Sequence, residues 1–430
     1  EKQVSQLSVS LGGKPEVDQT LLDEVNNLVE RPTAFPGKFD PESLKLPSEV
    51  LISVMKKHQR YFPVIKPDGE LLPYFIGVRN GDDRFLETVT DGNEQVIRAR
   101  FADAAFFINE DVRHKLEEFV PQLSTLIFQF KLGSMLDRTN RIEKLVGGLK
   151  DSLDLSPAEE KTAQRAAHLC KADLATHMVV EMTSLQGIMG GYYARQSGEN
   201  EDVARAIVEH YLPKSTGDSS PSTKASLAVS LADRLDMLAG LFAAGLAPTG
   251  TKDPYAQRRA ALGLVQSLIA WDLDFDTSKG LELAAGNLPL SMSSETIQAC
   301  REFIVGRLKG FLTDQGYRYD VVDAVLARQG TNPAGAARGC RQLTDWVQRS
   351  DWNTILPAFS RCVRITRGLN EIFVVKPETL KESSEKALLE QIIRVEKTLE
   401  SGTSVDEFLN AFLPAIPAVN TFFDAVLVMS

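Results

Sequence analysis

Cysteine is scarce in this 430-residue chain, which has four: Cys170, Cys300, Cys340 and Cys362. They are far apart and form no CxxC pair, so the sequence indicates neither a disulfide framework nor a zinc site. Long apolar runs are missing too, because charged residues interrupt each run before the roughly 18 to 20 residues that a membrane span needs. We therefore expect a protein of a reducing compartment that has no membrane among its partners.

Positive charge is also in short supply. The chain has 58 Asp and Glu residues against 48 Lys and Arg residues, which gives a formal net charge of −10. This balance argues against a protein that coats nucleic acid by bulk electrostatic attraction, so any RNA contact requires local basic patches. The hydrophobic fraction of 43% is typical of a globular protein, and the length predicts two or three domains.

Self-contained catalytic motifs are absent as well. The sequence has no GxxxxGK(S/T) phosphate loop, no GxGxxG motif, no GxSxG nucleophile elbow and no HExxH helix. We therefore expect no catalytic residue in this chain. A role as the binding partner of a catalytic subunit fits this lack better than a complete enzyme does.

The patterns that are present predict a mainly α-helical chain with an N-terminal α/β module. Two strand-like runs, 61–65 and 74–78, flank the turn 66–69, whose proline presets φ and whose glycine accepts positive φ. Helical periodicity dominates most of the remaining chain. We expect an N-terminal module at 1–120, a helical domain at 121–275, a connector at 276–293 and a second helical region at 294–430.

Residues 248–263 combine a turn, a helix start and basic side chains in one short stretch. Gly250 punctuates the loop, Asp253 suits the N-cap and Pro254 suits the first helical position. Exposed backbone N–H groups would then lie near three cations and form an anion site: Lys252, Arg258 and Arg259. The alternative is a capped helix whose arginines are solvated or paired with carboxylates.

A second basic segment, residues 56–62, places cations beside Tyr61 and Phe62. Basic residues interleaved with rings are suited to phosphate contacts and base stacking. The alternative is a solvated helix end whose aromatic residues begin the next strand. The candidate RNA contacts in this segment are Lys56, Lys57, His58 and Arg60.

A third candidate is the pair Arg98 and Arg100. The two arginines are two positions apart on a predicted helix, so they do not share a face. Either of them binds RNA, or it forms an ion pair with Glu94 or Asp103.

Histidine and aspartate recur in the helical domain at positions that could together hold a divalent metal. The alternative makes Asp233 and Asp236 exposed neighbours one helical turn apart, and His168 a core histidine with satisfied hydrogen bonds. The metal set would be His168, Asp173, His210 and Asp233 or Asp236.

A series of segments, in one order over most of the chain, carries a family resemblance. They are Leu46–Leu51, Met55–Pro63, Gly92–Ala104, Lys131–Met135, Cys170–Leu174, Leu185–Gly190, Glu209–Tyr211, Leu231–Asp236 and Pro248–Gly263. Together they resemble the β subunit of the heterotetrameric, bacterial-type glycyl-tRNA synthetase. A chance match of so many ordered segments is improbable.

The resemblance implies a tRNA-binding role in a ligase. In that family the α subunit binds glycine and ATP with Mg²⁺ and forms the adenylate, while the β subunit grips tRNA(Gly). We therefore expect no cofactor in this chain, and an assembly of two α and two β chains or a dimer of fused αβ chains. The compartment would be the bacterial cytoplasm, a chloroplast or a mitochondrion. Both ends of the sequence are expected to be cuts in a longer protein.

The helical middle resembles an HD-type domain, a fold that holds metal with histidine and aspartate in phosphohydrolases. Here the adjacent His-Asp pair is replaced by Ala172-Asp173, with Lys171 just before it. The resemblance therefore implies that a metal ligand is missing and that a cation stands where a metal would be. We expect no metal site and no phosphohydrolase activity.

The last region resembles a helical DALR-type anticodon-binding domain, truncated at its C-terminus. The nearest correspondences are Asp320–Ala327 and Arg361–Arg367. Arg361 and Arg364 are one helical turn apart and share a face that could meet RNA. The alternative is that they hold their helix against neighbouring carboxylates.

Two rival functions stay open from the sequence. A metal-dependent HD phosphohydrolase requires the metal set to converge on one ion. An RNA-binding protein that acts outside aminoacylation requires RNA binding without an α subunit.

Overall fold

The computed structural model describes residues 1–16, 18–367, 374–399 and 404–426. These residues are mostly helical, with a small sheet near the N-terminus, which confirms the predicted mainly α class. They form two compact units, Glu1–Leu264 with Gly280–Ile297, and Val265–Lys279 with Gln298–Ser430. The finer four-part division of the chain stays a prediction. Within the described ranges, no helix is both long enough and apolar enough to cross a bilayer.

The helices occupy most of the described chain. In order they are α1 Lys2–Ser10, α2 Gln19–Leu28, α3 Ser48–Gln59, α4 Leu86–Asp111, α5 Met135–Leu149, α6 Pro157–Leu169, α7 His177–Glu181, α8 Ile188–Gln196, α9 Glu201–Glu209, α10 Lys224–Ala243, α11 Gln257–Ala270, α12 Thr277–Gly286, α13 Ser294–Asp314, α14 Tyr319–Gln329, α15 Pro333–Val347, α16 Trp352–Thr366, α17 Ser383–Thr398, α18 Val405–Phe412 and α19 Ile416–Ala425. Short 3₁₀ turns join several of them, including Leu116–Thr125 and Ala172–Ala175.

Side-chain caps explain where several helices begin. The Asp18 carboxylate accepts from the Leu21 N–H at the start of α2, at 3.0 Å. Ser134 and Ser156 each form a capping box with an acidic residue three positions later, at the starts of α5 and α6. These residues satisfy N–H groups that the first helical turn leaves without partners.

The N-terminal sheet is antiparallel, with strand order β1, β3, β4, β2. Its strands are β1 Lys14–Pro15, β2 Pro32–Lys38, β3 Phe62–Ile65 and β4 Leu71–Asn80, and a separate small hairpin joins β5 Ile127–Gln129 to β6 Gly133–Ser134. The predicted hairpin of β3 and β4 is confirmed, and Gly69 takes the positive φ of 97° that its turn requires.

Two glycines in the sheet make room for two phenylalanine rings. Phe35 lies opposite Gly77, and Gly37 lies opposite Phe75, across the β2 and β4 ladder. Each ring covers the glycine it faces, and both rings are buried. A Cβ atom on either glycine would overlap the ring, so the two pairs fix the register of the strands.

The core of the first unit is organised around α10. This 20-residue helix is buried along almost its whole length and packs against α5, α6 and α9. A helix that is buried all round is expected to be apolar. Asp233, Arg234 and Asp236 break that rule, because all three are buried on α10.

The second unit has its own apolar core, built around Trp346, Ile355 and Leu409. The Trp346 indole N–H donates to the Asp406 carboxylate at 2.7 Å, which joins α15 to α18. Arg338 pairs with Asp272 and Asp274 within the same unit.

The ring-over-glycine arrangement makes a testable prediction for Gly37→Ala. Overpacking of the Phe75 ring should lower the free energy of opening of β2 and β4 by about 1–3 kcal/mol. Hydrogen exchange of these two strands, followed by mass spectrometry, measures the change. Gly92→Ala is the control, since Gly92 lies in α4 with open space around it. Alanine at this position should stabilise the helix by up to about 1 kcal/mol. Unchanged exchange in Gly37→Ala would contradict the packing argument.

Candidate anion-binding pocket and basic surfaces

The first unit contains a pocket of about 440 Å³, whose walls come from α5, α10, residues 171–174, residues 210–214 and residues 255–260. A volume of this size is within the range of small-molecule sites. Positive charge dominates the lining, because five cations and one carboxylate contribute to it: Arg138, Lys171, Lys214, Arg234, Arg259 and Asp233.

Lys171 is at the centre of the buried part of this pocket, with its side chain 3% exposed. Its ammonium lies 2.8 Å from His210 Nε2, 3.2 Å from Asp233 Oδ1 and 4.1 Å from the centroid of the Tyr211 ring. His210 Nδ1 contacts the Ile207 carbonyl at 2.6 Å, so Nδ1 carries the proton and Nε2 accepts from the lysine. Burial and the charge of Lys171 lower the pKa of His210 well below its usual range, which keeps the ring neutral.

Asp233 is the counter-ion of this lysine. An Nη of Arg138 donates to Asp233 Oδ1 at 2.9 Å, the same oxygen that Lys171 approaches. Burial alone would raise the pKa of Asp233, but the charges of Arg138 and Lys171 outweigh it and hold the pKa well below the usual range. The aspartate is therefore ionised, and one carboxylate serves two cations.

Asp236, one helical turn further along α10, pairs with Arg141. The Arg141 guanidinium donates to both carboxylate oxygens, at 2.6 and 3.1 Å, and to the Leu132 carbonyl at 2.9 Å. Asp233 and Asp236 are 8% and 1% exposed, so the alternative that made them exposed neighbours is wrong. Arginines three apart on α5 thus meet aspartates three apart on α10.

Arg234 holds the chain segment that forms another wall of the pocket. Its guanidinium donates to the carbonyls of the four consecutive residues 210–213, at 2.7 to 3.3 Å, and it is buried. Burial lowers the pKa of Arg234 to about 10, which leaves it charged at neutral pH. No motif in the sequence points to this role, because the four carbonyls reach Arg234 only through the tertiary fold.

Asp173 fixes a neighbouring loop instead of facing an ion. Its Oδ2 accepts from the N–H groups of Gly187 and Gly190, at 2.6 and 3.0 Å. Burial raises the pKa of Asp173 to about 6, although these N–H groups and the charge of Lys171 act in the opposite direction. The carboxylate therefore holds the start of α8 against the 3₁₀ turn Ala172–Ala175.

The candidate metal set of the rival interpretation does not converge. His168 lines a different cavity, where its Nδ1 lies 3.1 Å from a Glu143 oxygen. Lys171 approaches both His210 and Asp233, and an ammonium repels a divalent cation. Across the described ranges, no group of three His, Cys, Asp or Glu side chains is arranged to hold a metal ion. These residues do not fit a divalent metal.

The loop at 248–263 differs from its prediction in one important respect. Helix α11 begins at Gln257, three residues after Pro254, and Ala256 takes a φ of 56° just before it. Asp253 accepts from the N–H groups of Gln257 and Arg258, at 2.8 and 2.9 Å. The carboxylate therefore satisfies N–H groups that were expected to be open to an anion.

The three cations of this loop have different surroundings. Arg258 donates to the Gly250 carbonyl at 2.5 Å and lies 3.9 Å from Asp253, so it closes its own loop. Arg259 is exposed and lines the pocket, and Lys252 is exposed on the loop. The side chains of Arg259 and Lys252 form no hydrogen bond or ion pair with the described residues.

The 56–62 segment is divided between structural and exposed roles. Lys56 approaches Glu16 and Asp18 at 2.9 and 3.1 Å, and Arg60 pairs with Glu24 at 2.6 Å. Lys57 and His58 are exposed at the end of α3, and neither has a polar partner in the described part of the chain.

The two aromatic residues of that segment belong to the core. Tyr61 and Phe62 are 4% and 3% exposed, and the Tyr61 ring stacks on Phe75 at a centroid distance of 4.3 Å. The alternative in which these rings begin the next strand is confirmed for Phe62, where β3 starts, and Tyr61 lies just before the strand. Their burial removes the base-stacking interpretation.

Arg98 and Arg100 are exposed on α4. Neither forms an ion pair with Glu94 or Asp103, and the Glu94 carboxylate accepts instead from the Lys38 N–H at 2.9 Å. The ion-pair alternative for the two arginines is therefore wrong.

In the second unit, the two predicted arginines also differ. Arg361 lies 3.5 Å from the Asp424 carboxylate. This contact agrees with the alternative in which the arginine holds its helix against a neighbouring carboxylate. Arg364 is exposed on the same helix, α16, and has no partner among the described residues. RNA contact by each of the predicted cations stays a prediction.

The Arg141 and Asp236 pair makes a prediction about stability. Arg141→Leu leaves Asp236 buried without its main counter-charge and should lower the free energy of unfolding by about 3–5 kcal/mol. Adding Asp236→Leu should recover most of that loss, because two apolar side chains then replace the pair. Urea unfolding followed by circular dichroism measures both. If the losses of the two single variants simply add in the double variant, the pairing is contradicted. Arg205→Ala is the control, because it breaks an exposed 3.7 Å pair with Asp202 that contributes about 0–1 kcal/mol.

Asp173 makes a prediction about pH. Its pKa is raised from 3.8 to about 6, so the folded state binds the proton more tightly than the unfolded state. This group's contribution to stability therefore falls as pH rises from about 4 to about 6. Asp173→Asn keeps an oxygen that accepts from Gly187 and Gly190, and it does not titrate in this range. The free energy of unfolding of the variant, relative to that of the parent, should therefore rise by up to about 3 kcal/mol from about pH 4 to about pH 6. Unfolding measured at both pH values tests this, and a difference independent of pH would contradict it.

Comparison with known proteins identifies the family. Residues 1–327 match the family model described as glycyl-tRNA synthetase beta subunit. The "Glycine--tRNA ligase beta subunit" of Clostridioides difficile is 43% identical over 438 residues, covering 100% of this chain and 62% of the relative. That of Moorella thermoacetica is 41% identical over 443 residues, covering 100% and 63%.

A plant relative shows the same similarity in a longer protein. "Glycine--tRNA ligase, chloroplastic/mitochondrial 2" of Arabidopsis thaliana is 39% identical over 426 residues, covering 98% of this chain and 40% of the relative. This chain thus spans a little over three fifths of the bacterial relatives named above and a smaller share of the plant relative. The resemblance in the sequence is confirmed: the chain belongs to the glycyl-tRNA synthetase beta subunit family.

Proposed function

We propose that this chain is the tRNA-binding β portion of a glycine–tRNA ligase. Its task is to hold tRNA(Gly) so that the terminal adenosine meets a glycyl-adenylate formed on a catalytic α subunit. ATP and Mg²⁺ belong to that subunit, and this chain binds neither of them in our proposal. The observation that carries the proposal is membership of the glycyl-tRNA synthetase beta subunit family.

The distribution of charge supports contact with RNA. The chain has a net charge of −10, so phosphate contacts must come from local cations. In the first unit, several predicted contacts are exposed and have no partner among the described residues: Lys57, His58, Arg98, Arg100, Lys252 and Arg259. The full charge of the lysines and arginines among them is available to an RNA backbone.

The other predicted contacts already have protein partners. Lys56, Arg60, Arg258 and Arg361 each lie within 4 Å of a carboxylate. The pairs of Arg60 and Arg361 are exposed and contribute about 0–1 kcal/mol, so a phosphate can compete with them, whereas the pairs of Lys56 and Arg258 are partly buried. We expect these four residues to contribute less to binding than the unpaired cations do.

The mechanistic contribution of the chain is positioning. Holding the acceptor end of tRNA against the adenylate turns a bimolecular transfer into an effectively unimolecular one. No acid–base step is assigned to this chain.

We further assign an HD-type fold to the helical middle and a DALR-type fold to the last region. Lys171 supports the first assignment, because its ammonium contacts His210 and Asp233, two members of the candidate metal set. The same contacts argue against the metal-dependent phosphohydrolase. The DALR-type assignment rests on the sequence resemblance.

The partner is an α subunit, either as a separate chain or fused to this one. The name "beta subunit" of the bacterial relatives supports separate chains. The assembly of two α and two β chains rests on the sequence resemblance. The smaller share of the plant relative that this chain covers supports a fused arrangement there. The compartment is the bacterial cytoplasm in the first case and an organelle in the second.

Replacement of Arg98 and Arg100 by alanine tests the RNA-binding role. Removal of these charges should weaken tRNA(Gly) binding and reduce the slope of log K against log salt by about 1 for each phosphate that is no longer neutralised. Filter binding across a salt series measures affinity and slope together. The matched control is Arg113→Ala, close after α4, where the arginine is exposed and paired with Glu110 at 2.8 Å. An affinity and a slope equal to those of the control would remove the two arginines from the RNA surface.

A further inference from the structure

The charge inventory of the 440 Å³ pocket is unbalanced. Its lining holds five cations against one carboxylate, Asp233, which leaves an excess of four positive charges if His210 is neutral. Three of these cations, Arg138, Lys171 and Arg234, are buried. Arg138 and Lys171 share the carboxylate of Asp233, and Arg234 is held by backbone carbonyls, so positive charge remains in excess. An anion in the pocket would offset the cost of this excess.

We propose that this pocket binds the phosphate group of a nucleotide. Arg259 and Lys214 are the direct donors, because both are exposed in the lining and their side chains have no polar partner in the described chain. An arginine guanidinium and a lysine ammonium are both suited to phosphate.

The buried cations act behind these donors. Lys171 already donates to His210 and approaches Asp233, so it attracts the anion through its electrostatic field and makes no direct contact with it. Arg138 has one Nη on Asp233, while its buried Nε forms no hydrogen bond but lies 3.7 Å from a carboxylate oxygen of Asp236. The low dielectric around buried charges strengthens their attraction for an anion at the pocket mouth.

The remaining lining suits the organic part of a nucleotide. Tyr211 and Tyr255 are half-buried aromatic walls, and Met237 adds an apolar surface. The Tyr211 hydroxyl and the exposed Gln186 amide form no hydrogen bond with the described residues, so they are free to meet a sugar or a base edge. Aromatic and amide groups of this kind recognise unstacked bases.

The phosphate has two possible sources. A free nucleotide would make the pocket an independent small-molecule site, which stands apart from the proposed ligase role. A phosphate of bound RNA would extend the RNA-binding surface into the pocket, and this second possibility rests on the proposed function. Both sources use the same donors, Arg259 and Lys214.

Calorimetry on the full chain distinguishes the sources, with AMP and inorganic phosphate as probes. Arg259→Gln and Lys214→Gln are the test variants, because both side chains are exposed and their replacement leaves the buried cluster intact. Arg113→Gln is the matched control outside the pocket. AMP binding that phosphate displaces, and that each test variant weakens about tenfold, supports the free-nucleotide source.

Binding of tRNA(Gly) to the same variants forms the second arm. Absence of AMP binding, with tRNA affinity lowered by both test variants and unchanged in the control, supports the RNA source. Absence of AMP binding together with parent-like tRNA affinity in both variants overturns the proposal, and the tRNA role then stands on Arg98 and Arg100. AMP binding in a chain that does not bind tRNA overturns the ligase role and leaves the pocket proposal in place.

Discussion

The register between α5 and α10 is the constraint on which the rest of the first unit depends. Arg138 and Arg141 meet Asp233 and Asp236 at equal spacing, and all four side chains are buried. A slip of either helix would leave a buried charge without a partner, which costs several kcal/mol. The pairs therefore specify one packing arrangement of two helices that an apolar interface alone would define less strictly.

This arrangement also determines what the neighbouring pocket can bind. Asp233 and Asp236 are occupied by arginines, and Lys171 brings a third cation to Asp233. A site with this balance repels a metal cation and attracts an anion. In a chain of net charge −10, such local excesses of positive charge are the places where a polyanion can bind.

Local patterns in the sequence predicted local structure well. The turn at 66–69 depends on neighbouring residues only, and the predicted hairpin is present. The start of α11 was misplaced because Asp253 reaches two N–H groups four and five residues ahead, a contact that depends on the fold of the loop. The matched spacing of the arginines and aspartates on α5 and α10 is readable in the sequence, but which helices face each other is decided by tertiary packing. For the same reason, the sequence did not bring Arg259 and Lys171 into one pocket.

Glycylation of tRNA(Gly) by a catalytic α subunit, measured with and without this chain, tests the central claim most directly. Adenylate formation, measured by pyrophosphate exchange, separates the chemistry of the α subunit from transfer to tRNA. The account predicts that charging of tRNA appears only when the two polypeptides are combined, because this chain positions the acceptor end. Equal charging by the α subunit alone would contradict it.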